Sequence, residues 1–130
     1  MSEDVKALCT ETNLDAVQRW AEARALDVVF PNEDELFIDI DNASDAKEFE
    51  RNRDLIDRAY GILGVKVTPS RSGGTKKHYV VTIARKVRTP LERIALQAIL
   101  GSDRRREANS LRRHILDGEL TPTLFFEKKA

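Results

Sequence analysis

Apolar residues recur in this chain with two different periods, and the two alternate along its length. Leu14, Val17, Ala21 and Ala25 follow a helical spacing, as do Phe49, Ile56, Tyr60 and Leu63. Leu36, Ile38 and Ile40, and again Tyr79, Val81 and Ile83, follow the period of two that belongs to a strand with one buried face. Such alternation fits neither a bundle nor a sandwich. It predicts an α+β domain with a mostly antiparallel, RRM/ferredoxin-like sheet and helices packed mainly on one face.

The punctuation sharpens this outline. A helix over 14–26 with Asn13 as N-cap leads to Val28–Phe30, a turn at Pro31-Asn-Glu-Asp34, and a strand over Leu36–Asp41, which together read as a hairpin. Ser44 or Asp45 caps a helix from about Ala46 to Leu63, with Gly64 as its C-cap. Strands at Val65–Thr68 and His78–Ile83 follow. Thr89-Pro-Leu-Glu92 is a capping box with proline at the first helical position; it opens basic helices over 90–116, broken at Gly101-Ser102, before a final strand at 123–127. All 130 residues read as a single domain.

Composition narrows the class. Charged residues make up 34% of the chain and no apolar run approaches the ~20 residues of a membrane span, so no membrane partner is expected. The acidic start, Met-Ser-Glu-Asp-Val-Lys, resembles neither a signal nor a transit peptide. A single cysteine, Cys9, rules out an internal disulfide and a cysteine-based zinc site, and suits the cytoplasm. The net charge of zero conceals a division: residues 1–63 hold 16 acids and 7 bases, whereas residues 64–113 hold 13 bases and 3 acids. A basic block of this kind serves a phosphate-binding surface, or else it faces the acidic half within the fold.

Two segments carry chemistry. In Leu36-Phe-Ile-Asp-Ile-Asp41 the apolar set points one way and Phe37, Asp39 and Asp41 the other. The two carboxylates are thus about 7 Å apart on one face. They repel one another unless a cation joins them, and oxygen ligands suit Mg²⁺ or Mn²⁺; the alternative is an exposed face with solvated acids. In Ser70-Arg-Ser-Gly-Gly-Thr-Lys-Lys-His78, Gly73 and Gly74 allow an anion to approach the backbone, and Ser70, Ser72, Lys76 and Lys77 favour a phosphate. The spacing is not that of a P-loop, and a flexible hairpin loop is the alternative. His78 falls on the face opposite to Tyr79, Val81 and Ile83, as the aspartates do on theirs.

Taken in order, the Asp39-Ile-Asp41 strand, a helix, and the Ser70-Arg-Ser72-Gly73-Gly74-Thr-Lys-Lys-His78 loop resemble two motifs of the archaeo-eukaryotic primase superfamily, the primase-polymerases. The likeness covers about residues 36–83 and describes a minimal or degenerate member. It implies that Asp39 and Asp41 are catalytic metal ligands and that Ser72 and His78 bind triphosphate. The superfamily's third motif is an acid closing a strand; Glu127 after Leu124-Phe-Phe126 is its best fit, with Asp103 as rival. The resemblance implies a role in DNA replication, and the compactness suits a phage or plasmid.

The basic helix is the last candidate. With Ala108, Leu111 and Ile115 inward, Arg105, Arg112 and Arg113 lie on or near an exposed side and Arg104 and Arg106 flank them, a band that tracks a nucleic-acid backbone or forms a solvated face. No Ser-His-Asp or Cys-His arrangement emerges. The expected function is nucleotide or DNA/RNA binding with metal-dependent nucleotidyl transfer; a non-catalytic binding module and a small protein-binding regulator are the alternatives.

Overall fold

The computed structural model describes residues 14–69, 76–117 and 123–128. Helix α1 (Leu14–Ala23) and strand β1 (Leu26–Val29) precede strand β2 (Glu35–Ile40), helix α2 (Ala43–Tyr60), strands β3 (Ile62–Pro69) and β4 (Lys77–Ile83), helices α3 (Pro90–Ile99) and α4 (Arg104–Asp117), and strand β5 (Phe125–Lys128). The fold is α+β with antiparallel sheets. Asn13 and the loop residues Ser70, Ser72, Gly73 and Gly74 lie outside the described residues.

One sheet has the order β2-β4-β3. Its alternation follows the sequence pattern: Leu36, Ile38, Ile40, Val81 and Ile83 are buried with Phe49 and Ile56 of α2 and with Leu96 and Leu100 at the end of α3. Tyr79 meets Phe49 edge to face at 4.9 Å. Helix α2 begins three residues earlier than its sequence pattern suggests. Asn42, rather than Ser44 or Asp45, is the N-cap, its side chain accepting from the Asp45 N–H. The helix also ends earlier, at Gly61 rather than Gly64: Gly61 takes φ +73°, a left-handed value that suits glycine, and its N–H closes on the Asp57 carbonyl. Gly64 is instead a β3 residue beside a register shift.

The expected hairpin between 28–30 and 36–41 does not form. Strand β1 pairs antiparallel with β5, from Leu26↔Lys128 to Val29↔Phe125, in a second, two-stranded sheet. The reason lies at the outer edge of β2, which is already taken. Residues 35, 37 and 39 turn their backbone groups away from β4, as the alternating pairs of an antiparallel ladder require. Arg93 Nε donates to the Glu35 carbonyl at 3.2 Å and Arg106 Nη1 to the Phe37 carbonyl at 2.8 Å. Gln97 Oε1 accepts from the Phe37 N–H at 2.8 Å and Ser102 Oγ from the Asp39 N–H at 3.0 Å. The Asp103 N–H completes the row on the Asp39 carbonyl at 2.8 Å. Four side chains and one backbone amide thus replace a neighbouring strand and block the edge.

This seal also overturns the expected phase of α4. Ala108, Leu111 and Ile115 are exposed, the last at 66%, whereas Glu107, Ser110 and Arg113 are buried. The inward face is polar, and Glu107 carries its hydrogen bonding, whereas the buried Ser110 hydroxyl meets no partner among the described residues. Glu107 Oε1 accepts from Gln97 Nε2 at 2.8 Å, Glu107 Oε2 accepts from Ser102 Oγ at 2.7 Å, and Arg106 pairs with Glu107. Gly101 fits the turn into α4 closely: a Cβ on it would stand 2.5 Å from the Asp45 carbonyl oxygen.

Candidate functional site

Strand pairing brings the two sequence motifs together. Asp39 lies directly opposite His78 in the β2–β4 ladder, and Ile40 opposite Lys77. Imidazole Nε2 of His78 is 3.7 Å from Asp39 Oδ1, with both side chains largely withdrawn from solvent at 16% and 22% exposure. One step further out, Lys76 Nζ lies 3.4 Å from Asp41 Oδ1, both partly exposed. Asp41 follows the end of β2, where its N–H donates to Asp45 Oδ2. Pro69 and Lys77, which anchor the loop over 70–75, pair with one another at this same end of the sheet.

The electrostatics of the corner centre on Asp39. Burial pushes its carboxyl up to about 6; Asp103 and Asp41 add to the rise, while Arg106 and Lys76 oppose it. A carboxylate held this way, with two further acids in its field, gains from any additional cation. Asp103 therefore stands near the pair, tied to it through its own backbone hydrogen bond, while its Oδ1 accepts from the Arg105 N–H at the start of α4. No group of three His, Cys, Asp or Glu side chains placed to hold a metal ion occurs among the described residues.

The final strand is not where the third motif requires it. Strand β5 pairs with β1 and not with β2, which sets Glu127 opposite Asp27 in the two-stranded sheet. What β5 does bring to the site is a ring. Phe125 stacks on His78 at 3.8 Å with an interplanar angle of 3°, and on Phe37 at 4.5 Å and 4°. The Arg106 guanidinium sits 4.7 Å from the same ring. Phe125 is buried and fixes the plane of the imidazole. Sequence reasoning missed Phe125, Gln97 and Ser102, and set Arg106 beside an outer arginine band rather than against the β2 edge. The one signal available was Phe37, an aromatic on the aspartates' face that needed a partner.

The basic helix divides. Arg104, Arg105 and Arg112 are exposed, as expected, but Arg113 is buried at 6% exposure and does not belong to an outer band. Lys76 and Lys77 are exposed beside the loop. No described helix is long and apolar enough to cross a membrane. No family model, curated protein or solved structure matches the chain.

Proposed function

We propose that this chain is a primase-polymerase-like domain that binds the phosphates of a nucleotide or of DNA or RNA at the corner formed by Asp39, Asp41, His78 and Lys76. Nucleotidyl transfer is the reaction class of such a site. The observation that carries the reading is the Asp39–His78 pair. Two motifs almost forty residues apart in sequence supply neighbouring side chains on one sheet face, at the end where a Gly-Gly loop leaves the sheet. The donor types suit a hard divalent cation: Asp39 and Asp41 would hold Mg²⁺ or Mn²⁺, with Asp103 a further acid in the field of Asp39. Such an ion neutralises phosphate charge and orients the reacting oxygens. His78, held flat by Phe125, offers a donor to a phosphate oxygen, and Lys76 offers a point charge.

A non-catalytic nucleotide- or nucleic-acid-binding module is the second reading, favoured by the pairing of β5 with β1, which separates the strand of Glu127 from β2. Calorimetric titration with ATP, with and without Mn²⁺, distinguishes the two. The primase-like reading expects triphosphate binding that requires Mn²⁺, is abolished by Asp39→Asn and is weakened by His78→Ala. Binding that survives metal removal and Asp39→Asn would transfer the site to the second reading. No binding by any of the proteins would remove both.

A further inference from the structure

The two edges of the three-stranded sheet are treated in opposite ways. The β2 edge is closed by its row of hydrogen bonds from α3, α4 and the turn between them, whereas β3, eight residues long, has no strand outside it among the described residues. Gly64, Lys66 and Thr68 stand opposite Thr82, Val80 and His78. Those β4 residues turn their backbone groups to β3, since Ile83, the residue after Thr82, directs its N–H towards β2's side, onto the Asp34 carbonyl. Val65, Val67 and Pro69 accordingly face outward. They present two N–H groups and three carbonyls that meet no partner among the described residues. Leu63 and Val67 flank this edge with 70% and 50% exposure.

The chain that carries the edge is basic, although Asp57 Oδ1 meets the Ile62 N–H at the start of β3 and Lys76 and Lys86 pair with Asp41 and Glu33. From Ile62 to Leu91 the chain holds seven Lys and Arg and no Asp or Glu. Lys66 is exposed on β3 itself, and Lys77 is exposed on the neighbouring strand. A long open edge is a template for another strand, and lysine on it discourages cationic or self-pairing partners because like charges across a ladder repel. An acidic strand meets no such barrier. The geometry points to β3 as a docking edge for an extended peptide of alternating acidic and apolar residues from a partner protein, added antiparallel or parallel as a fourth strand. Its apolar side chains would cover Leu63 and Val67 on one face of the sheet, and its acids would meet Lys66 on the other. The register is short. Pro69 lacks the N–H that would extend it at one end, and the shift between Ile62 and Gly64 ends it at the other. This docking edge does not depend on the nucleotide site.

The test is amide hydrogen exchange of the full chain, followed by NMR, with the synthetic peptide acetyl-(Glu-Val)4-amide as probe and acetyl-(Lys-Val)4-amide as control. The Glu-Val peptide should slow exchange at Val65 and Val67 while leaving Lys66, already bonded to β4, unchanged. Lys66→Glu should weaken that binding about tenfold. Val67→Pro, which removes an outward N–H and no β4 bond, should abolish it. Equal protection by the Lys-Val peptide, an undiminished effect in Lys66→Glu, or no protection at Val65 and Val67 would overturn the proposal. So would protection that grows with protein concentration alone, since a second copy would then occupy the edge.

Discussion

At the scale of single residues, Asp39 concentrates the cost and the use of the site. Its ordinary value is 3.8 and burial raises it to about 6, so the folded state holds this proton more tightly than the unfolded chain does. The resulting contribution favours folding below pH 4 and is lost as the pH rises through 6. Asp39→Asn removes the titration. Its stability relative to the parent should rise between pH 4 and pH 6 and level off above that, by at most about 3 kcal/mol for a shift of this size. Denaturant melts of both proteins at pH 4 and pH 8 measure it. A difference that does not vary with pH would mean that the carboxyl is not destabilised by its surroundings. The same variant is the one that should lose triphosphate binding, so the site is held at some expense to the fold, as functional groups commonly are.

At the scale of elements, the seal on β2 is the part of the structure that local sequence patterns could least reveal. Helix α4 displays Ala108, Leu111 and Ile115 at helical spacing, and a hydrophobic pattern puts them inward; yet the buried side is Glu107, Ser110 and Arg113. Hydrophobic periodicity reports which face buries apolar area, and this face instead brings Glu107 to the Gln97, Ser102 and Arg106 side chains that bond the β2 edge. The pairing of β1 with β5 was hidden for a related reason. Its strands are about a hundred residues apart, while the nearby β2 that a hairpin would use has its edge filled. By contrast, the faces of β2 and β4 were legible, because alternation alone sends Asp39 and His78 to the same side once the strands are antiparallel neighbours. Gln97 ties the seal together through Phe37 and Glu107. Gln97→Ala should leave the Phe37 N–H and a Glu107 oxygen without partners and cost about 1–3 kcal/mol. Phe37 amide exchange should accelerate far more than that of Leu36, whose N–H faces β4. An unaltered denaturation midpoint would show that the edge is held by other means.

At the scale of the whole molecule, the acidic first half and basic second half do not simply neutralise each other. Arg93, Arg106 and Arg113 turn inward, the first two onto the β2 edge, while Arg104, Arg105 and Arg112 remain exposed on α4. Exposed arginines of this kind act on nucleic acid through counterion release. Replacing Arg104, Arg105 and Arg112 together by glutamine should weaken nucleic-acid binding and flatten its salt dependence, by about one unit of log–log slope for each phosphate that is no longer neutralised. Fluorescence anisotropy with a labelled oligonucleotide over a salt series measures that slope, and an unchanged slope would leave the band a solvated face. The central claim, that the Asp39–His78 corner holds a metal-bound triphosphate, is tested most directly by paramagnetic Mn²⁺ added with ATP while the amide signals are followed. Asp39, Asp41, Lys76 and His78 should broaden first, and Asp39→Asn should abolish the effect; broadening centred on α4, or none at substoichiometric Mn²⁺, would show that the corner holds no metal-bound triphosphate.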